Sequence, residues 1–284
     1  MVQMMLRTKV LLMLNQLFQA PVHPFNLQCE GIKSYAMWQY EKGTDTIQFY
    51  LKKYSLKEMF AGQTVADIGC GAAGKSLYYA ANGAAKVYGV EILNKYRTEA
   101  NKLASDLGLS DHFEFICADA AHLPFADDSI DRIIMNDAME HVSQPKAVLR
   151  ECLRVLRPGG RLYVNFPPYH HPFGAHLSDL IYIPWVHLFF PEKVLVEAYK
   201  ALAKTCLDGQ ERIGFRISKR KDGSEYFSYI NHMTIKRFEK ILRTEQITPA
   251  YYHHEPLRGI FRHLCRLPLL REMLVKMVVC VIEK

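Results

Sequence analysis

The sequence predicts an α/β protein built on a parallel, doubly wound sheet with helices on both faces. From residue 64 onward, apolar strand-like segments alternate with amphipathic helical segments, the pattern of repeated strand–helix–strand units. A glycine-rich loop follows the first of these strands. Hydrophobic residues make up 49% of the 284 residues and charged residues 23%, so the chain can bury a large core.

Five strands and three helices form the predicted core. The helices are expected at residues 75–82, 94–107 and 145–156, and the last one ends at a Pro-Gly-Gly turn. The strands, in chain order, are TVADIG, AKVYGVEI, HFEFICAD, SIDRIIMND and RLYVNFP. Such an alternation is typical of a sheet whose ligand site lies at the carboxyl ends of its strands.

The rest of the chain is expected to surround this core. Residues 1–60 are predicted as an N-terminal helical cap region, and residues 61–168 as the core. After the fifth strand, residues 169–232 are rich in Pro, His and aromatic residues and predict a lid insertion, with a helix near 194–207. Residues 233–284 are predicted to add a helix capped by Thr234 and a final antiparallel strand pair to the sheet.

Charge and cysteine content limit which binding partners and which cellular location we expect for this protein. The net charge is +7 without a concentrated basic run, so we expect no nucleic-acid partner. Seven scattered cysteines without a C-x-x-C pair indicate reduced thiols and a cytoplasmic protein, and no metal site is expected. The apolar N-terminus is interrupted at Asn15 and Gln16, and we expect this helix to pack on the domain or cap the active site instead of contacting a membrane. For the basic C-terminal segment we expect a solvated helix face. The oligomeric state stays open.

The glycine loop, DIGCGAAGKS at residues 67–76, matches two nucleotide-binding patterns at once. Gly69, Gly71 and Gly74 form G-x-G-x-x-G, whereas Gly69, Gly74, Lys75 and Ser76 also satisfy the phosphate-binding pattern G-x-x-x-x-G-K-S. The loop alone therefore leaves a triphosphate, a dinucleotide and a nucleoside-amino acid such as S-adenosylmethionine as alternatives.

Carboxylates at three successive strand ends favour the cationic ligand. Asp67 precedes the loop, Glu91 ends the second strand and Asp119 ends the third. Acids are poorly suited to a cluster of phosphates, but they suit a sulfonium and an ammonium group, and a carboxylate can accept hydrogen bonds from both ribose hydroxyls. Against this, Asp137 at the end of the fourth strand could serve as the metal-holding acid of a triphosphate site.

Beyond the loop, five segments in order resemble the class I S-adenosylmethionine-dependent methyltransferases, most closely the small-molecule, quinone and natural-product enzymes. The resemblance covers about residues 60–170 and implies a Rossmann-like, seven-stranded, mostly parallel sheet with one reversed strand. One departure is that Ala72 and Ala73 stand where the family often has a glycine. The segments are VADIGCGAAG, VYGVEI, ICADAAHLPFADDSID, IIMNDAMEHV and LRECLRVLRPGGRLYVNFPP.

The resemblance also implies where the cofactor, S-adenosylmethionine with S-adenosylhomocysteine as product, would bind. The glycines would approach the methionine part, and the strand-end residues would bind the ribose and adenine. An N-terminal aromatic residue would cover the sulfonium, whose charge is attracted to an aromatic face. The implied cofactor residues are Asp67, Gly69, Gly71, Glu91, Ile92, Asp119, Ala120, Asn136 and Tyr35.

The expected reaction is methyl transfer by in-line displacement to O, N or C of a small, apolar or aromatic organic molecule. A base near the acceptor is expected from His176 or His141, with Glu140 as a further candidate acid. Tyr169, Tyr182 and Trp185 in the lid are expected to bind this small-molecule acceptor. A protein or RNA acceptor, a non-catalytic cofactor-binding scaffold and a P-loop nucleotide-binding protein remain as alternatives.

Overall fold

The computed structural model describes residues 4–284, apart from the side chains of Cys29 and Leu269, so the first three residues of the expected N-terminal region lie outside the described part. The helices that begin at Tyr35 and Leu56 are capped by the hydroxyls of Ser34 and Ser55, each of which accepts a backbone N–H of the first turn. The N-terminal helices are α1 (Leu6–Asn15), α2 (Pro24–Cys29), α3 (Tyr35–Glu41), α4 (Gly43–Ile47) and α5 (Leu56–Phe60).

The predicted core elements are all present, and most of their ends lie within three residues of the prediction. The exception is the fifth strand, which begins five residues earlier than expected, at Leu156, so that the Pro-Gly-Gly segment expected as a turn lies within it. Helix α7 is preceded by a short 3₁₀ turn at Asn94–Tyr96, and a second 3₁₀ turn lies at Ser110–His112. The core elements are β1 (Thr64–Ile68), α6 (Gly74–Ala81), β2 (Lys86–Glu91), α7 (Arg97–Asp106), β3 (Phe113–Cys117), β4 (Ile130–Asn136), α8 (Pro145–Val155) and β5 (Leu156–Phe166).

The sheet has seven strands in the order β3-β2-β1-β4-β5-β9-β8, where β8 is Tyr251–Pro256 and β9 is Val275–Glu283. Strand β9 is antiparallel to both β5 and β8, and the pairs among β1 to β5 are parallel. This confirms the Rossmann-like, mostly parallel sheet with one reversed strand. The strand order changes direction between β1 and β4, which places the loop after β1 at the switch point where such sheets bind ligands.

Helices cover both faces because alternate residues of each central strand enter two different apolar clusters. Ile133 and Met135 of β4 pack in the cluster that includes Leu149 of α8, whereas the intervening Ile134 packs in the cluster that includes Leu77 of α6. Successive strand side chains point to opposite faces, so a strand buried on both sides reads as a continuous apolar run.

A third apolar cluster holds the lid together and joins it to the N-terminus. Leu11 of α1 is fully buried among lid residues such as Leu195 and Tyr199. The helix expected near 194–207 lies earlier, and the basic segment after it forms a β-hairpin that the sequence pattern did not reveal. The lid elements are α9 (Val186–Phe189), α10 (Glu192–Ala203), α11 (Gly209–Arg216), β6 (Ile217–Lys219) and β7 (Glu225–Phe227).

The C-terminal part supplies α12 (Ile235–Thr244), α13 (Phe261–Leu264) and α14 (Pro268–Leu274) besides the last two strands. The Thr234 side chain accepts a hydrogen bond from the Arg237 N–H, as its expected role as an N-cap requires. The basic tail forms two short helices because Pro268 begins the second one. Among residues 4–284, no helix has the length and apolar character needed to cross a membrane.

Candidate active site

The glycine loop after β1 requires glycine at two positions. Gly69 and Gly71 have φ angles of 74° and 56°, in the left-handed region that side chains disfavour. A Cβ on Gly69 would also lie 2.8 Å from the Cβ of Ala138, which follows β4. Ala73, directly before α6, also takes a left-handed φ, of 61°. It is one of the two alanines that stand where the family often has a glycine, and a glycine there would relieve the backbone strain.

Both residues of the phosphate-binding pattern are bound to carboxylates. The Ser76 hydroxyl donates to Asp67 Oδ2 at 2.6 Å, and both side chains are buried. Lys75 Nζ lies 3.1 Å from Asp137 Oδ2. A triphosphate would have to displace both acids from the groups it needs, which favours a ligand without phosphates. Asp137 thus serves as a partner of Lys75.

Glu91 and Asp119 reach the same edge of the sheet, because β2 and β3 are parallel and pair Glu91 with Cys117. The two carboxylate oxygens of Glu91 accept the backbone N–H groups of Gly71 at 3.1 Å and Leu93 at 2.9 Å. Asp119 accepts the Ala121 N–H at 2.9 Å and is exposed, with the half-buried Ala120 beside it. Ile92 leaves 64% of its apolar surface exposed at this edge.

Asn136 lies deeper than the expected cofactor contact. Its side chain is 4% exposed and bridges two tyrosines. Asn136 Oδ1 accepts the Tyr50 hydroxyl at 2.8 Å, and Nδ2 donates to the Tyr79 hydroxyl at 3.2 Å. The Asn136 side chain therefore lies in the core beneath the loop, and its expected contact with the cofactor stays a prediction.

Helix α3 closes over the glycine loop. A Cβ on Gly71 would lie 3.4 Å from the Tyr35 ring, and burial raises the pKa of the Tyr35 phenol well above its usual value, with Asp137 the next contributor. One helical turn further, the buried Gln39 accepts the Gly74 N–H and donates to the Cys70 carbonyl, both at 3.3 Å. Sequence reasoning missed Gln39; its only signal is the spacing of four residues from Tyr35.

Three chemically active side chains converge beside the loop. The Nε2 atoms of His176 and His141 lie 3.6 Å and 3.9 Å from Oε1 of Glu140. The two imidazole centroids are 4.9 Å apart. The structure therefore brings together the two histidines predicted from sequence, although 35 positions separate them.

Neighbouring groups from the lid orient both histidines. His141 Nδ1 lies 2.7 Å from the Tyr229 carbonyl, which can only accept, so Nδ1 carries the proton and Nε2 presents a lone pair. His176 has a left-handed φ of 52°, and its carbonyl accepts from the Tyr229 hydroxyl and from Arg216 Nη1, both at 2.5 Å. Arg216 in turn pairs with the buried Asp179 at 3.1 Å.

Burial controls the charge states in this cluster. Desolvation, followed by the charge of Asp137, raises the pKa of Glu140 well above its usual range. Desolvation, followed by the His141 ring, holds the pKa of His176 well below its usual value, and desolvation also lowers the pKa of His141. Both imidazoles are therefore neutral at pH 7.

The predicted acceptor-binding aromatics occupy different parts of the lid. Tyr169 packs against His187 and His232, with centroids 4.9 Å and 4.4 Å away, and lines a cavity of about 140 Å³. Tyr182 donates its backbone N–H to Asn15 of α1. The Trp185 indole donates to the Met273 carbonyl of α14. The three residues contact different segments, and their role in acceptor binding stays a prediction.

Comparisons with known proteins match the part of the chain that carries the glycine loop and the strand-end acids. Residues 66–164 match the family model described as a methyltransferase domain. The chain is 40% identical over 111 residues to methyltransferase GfsG of Streptomyces halstedii, which is 39% of this chain and 40% of that protein. It is 36% identical over 104 residues to demethylmenaquinone methyltransferase of Clavibacter sepedonicus, 37% of this chain and 41% of the relative.

A third curated relative, 27-O-demethylrifamycin SV methyltransferase of Amycolatopsis mediterranei, is 36% identical over 102 residues, covering 36% of this chain and 38% of the relative. The chain thus spans about two fifths of the length of these three relatives. Geranyl diphosphate methyltransferase in complex with SAM superposes with a TM-score of 0.51 at 16% identity, over 87% of this chain and 84% of that one. At this identity the superposition shows the fold alone.

Proposed function

We propose that this protein, in which residues 66–164 form a class I S-adenosylmethionine-dependent methyltransferase domain, transfers a methyl group to O, N or C of a small, apolar or aromatic organic molecule. The observation that carries the proposal is the set of strand-end carboxylates around a glycine loop whose Lys75 and Ser76 are already bound to acids. The small-molecule class is supported by relatives whose names specify menaquinone and rifamycin chemistry.

The cofactor would lie along the carboxyl edge of β1, β2 and β3. Each carboxylate oxygen of Glu91 has a second lone pair beyond the backbone N–H it accepts, so Glu91 can also bind a ribose diol. The exposed Ile92 and the neighbouring Asp119 and Ala120 fit an adenine ring and its amino group. Gly69 and Gly71 let the backbone approach the methionine part, and Tyr35 covers it.

On the acceptor side, His141 and His176 would receive the nucleophile. When bound, the cofactor supplies a methyl group on a sulfonium. It would offer that methyl for in-line transfer to the acceptor atom, with the neutral thioether as leaving group and the acceptor's proton released to a base or to water. The Tyr229 carbonyl accepts the Nδ1–H of His141 and so fixes the ring. The lone pair on Nε2 is then available to accept a hydrogen bond from an acceptor O–H or N–H. Tyr169 would contact the acceptor body.

Ligand-dependent stability tests the cofactor assignment. Thermal unfolding of the purified chain with S-adenosylhomocysteine, S-adenosylmethionine, Mg-ATP and NADH should show a shift with the two S-adenosyl compounds. A ligand at 100 times its Kd stabilises by about 2.7 kcal/mol. Glu91→Ala should abolish the shift, whereas Glu114→Ala, which removes an exposed glutamate of β3, should keep it. A shift with Mg-ATP alone, lost in Lys75→Ala, would overturn the proposal.

The class of acceptor needs a separate measurement. Incubating the protein with methyl-labelled cofactor and cell extract should place the label in the solvent-extractable small-molecule fraction. Label that is found only in precipitated protein or RNA would contradict the small-molecule acceptor while leaving the cofactor assignment intact.

A further inference from the structure

We propose that Glu140, His141 and His176 form a binding site for one divalent transition-metal ion of the Zn²⁺, Mn²⁺ or Fe²⁺ class. Each residue offers one ligand atom, and the three atoms lie within 4.8 Å of one another. An ion with bonds of about 2.0–2.2 Å holds neighbouring ligand atoms about 3–3.5 Å apart. The two histidine nitrogens lie 3.6 Å and 3.9 Å from the Glu140 oxygen, so the cluster would contract to close around an ion.

The Glu140 carboxylate is a buried group without a hydrogen-bond donor. Its side chain is 4% exposed, and both oxygens are inaccessible and unpartnered among the described residues. Nε2 of His176 is likewise buried and unpartnered. Buried polar groups are nearly always satisfied, and an unsatisfied carboxylate costs several kcal/mol. A cation between these atoms would satisfy all of them together.

The tautomer of His141 gives a second, independent indication. Because Nδ1–H is donated to the Tyr229 carbonyl, Nε2 keeps its lone pair, and Oε1 of Glu140 lies 3.9 Å from it. Two acceptors facing one another repel unless a proton or a metal ion lies between them. An imidazole whose far nitrogen donates to a backbone carbonyl is the usual form of a metal-binding histidine.

Two imidazoles and one carboxylate select borderline transition ions over Mg²⁺ or Ca²⁺, which prefer oxygen ligands. Solvent reaches the cluster at its histidines, because the His141 and His176 side chains are 35% and 23% exposed, although Nε2 of His176 itself is inaccessible. Three protein ligands on one side leave coordination positions for an acceptor oxygen.

The catalytic consequence rests on the proposed function, whereas ion binding does not. With the ion bound, Nε2 of His141 is one of its ligands, and the ion takes over from this nitrogen the role of receiving the acceptor hydroxyl. A hydroxyl of the acceptor bound to the ion would lose its proton to water at lower pH than it does when free. Its oxygen would then form the bond to the methyl carbon as the carbon–sulfur bond breaks. The products are a methyl ether, the neutral thioether and one proton.

Metal content of the tag-free full chain tests the site. After chelation and equilibrium dialysis against Zn²⁺, Mn²⁺ or Co²⁺, elemental analysis should find about one ion per chain, and bound Co²⁺ should show visible absorption. Glu140→Gln and His176→Ala should weaken binding at least ~100-fold, more than the loss typical of outer-shell groups. His122→Ala, which removes an exposed histidine, should bind as the wild type does.

The possible outcomes separate the two proposals. No stoichiometric ion in the wild type, or equal binding by Glu140→Gln, would overturn the metal site. An unchanged S-adenosylhomocysteine shift in Glu140→Gln would show that this variant folds. Ion binding without any S-adenosyl shift would instead contradict the methyltransferase proposal and leave the metal site standing.

Discussion

The Ser76 hydroxyl donates a 2.6 Å hydrogen bond to the Asp67 carboxylate, and neither side chain reaches solvent. This bond joins the end of β1 to the first turn of α6 and so holds the two ends of the glycine loop together. It also uses the hydroxyl that a phosphate-binding loop would give to Mg²⁺. The same residues that match the P-loop pattern therefore stabilise a loop of a different kind.

Burial of Asp67 predicts a pH-dependent stability. Burial raises the pKa of Asp67 from 3.8 to about 6, partly opposed by the Ser76 hydrogen bond. The folded state therefore favours the protonated form, and this stabilisation is lost as the pH rises from about 4 through 6. Relative to Asp67→Asn, the wild type should lose about 2 kcal/mol of unfolding free energy between pH 4 and pH 8.

Urea unfolding of both proteins across this pH range measures the difference. Asp106→Asn, which removes an exposed aspartate of α7, provides the baseline. A wild-type curve parallel to that of Asp67→Asn at all pH values would show that Asp67 is not held in a desolvated site.

Gly74 at the start of α6 determines how closely α3 approaches. A Cβ there would lie 1.9 Å from the Ala36 carbonyl oxygen and 2.5 Å from the Tyr40 nitrogen, both backbone atoms. Gly74→Ala should therefore destabilise the protein by about 1–3 kcal/mol or more and weaken S-adenosylhomocysteine binding, because α3 carries Tyr35 and Gln39.

Gly214→Ala is the matched control, since Gly214 lies in α11 and a Cβ added there would have no heavy atom within 4 Å outside its own helix turn. It should be neutral or stabilising by up to about 1 kcal/mol. Chemical denaturation and calorimetric titration measure both effects. A Gly74→Ala variant with wild-type stability and affinity would exclude the close packing of α3 on α6.

The Tyr229 hydroxyl is expected to position His176. It donates to the carbonyls of Ala175 and His176, where the backbone takes its left-handed turn. Tyr229→Phe should cost about 1 kcal/mol of stability and lower kcat several-fold, while cofactor affinity stays unchanged. Tyr226→Phe in the neighbouring hairpin should change neither the stability nor kcat. A fall in cofactor affinity equal to the fall in kcat would point instead to a general loss of folding.

Sequence patterns were sufficient to predict the parallel strands of the sheet. Runs such as RIIM in β4 are apolar at nearly every position because both faces of a parallel strand are buried, and that is a local property of the chain. The positions of Asp67, Glu91 and Asp119 followed from the same reasoning, since a residue at the end of a strand reaches the carboxyl edge in any sheet of this kind. Their contacts with a cofactor stay a prediction.

The lid could not be predicted to the same depth. Prolines and aromatics between residues 169 and 232 show that the strand–helix rhythm has ended, but they do not show which side chains meet. The hairpin of β6 and β7 is only three residues per strand, too short for a period-2 pattern to be recognised. Tyr182 and Trp185 contact α1 and α14, which a pattern of aromatic residues does not reveal.

The sequence by itself determined the α/β class, the glycine loop and the acidic strand ends, because these depend on hydrophobic periodicity and on residues adjacent in the chain. Only the tertiary structure decided which of twelve histidines meet: His176 reaches Glu140 and His141 because Arg216 and Tyr229 hold its backbone. It also decided that Gln39 binds the glycine loop. Such contacts depend on the packing of distant segments, whose free energy no local pattern encodes.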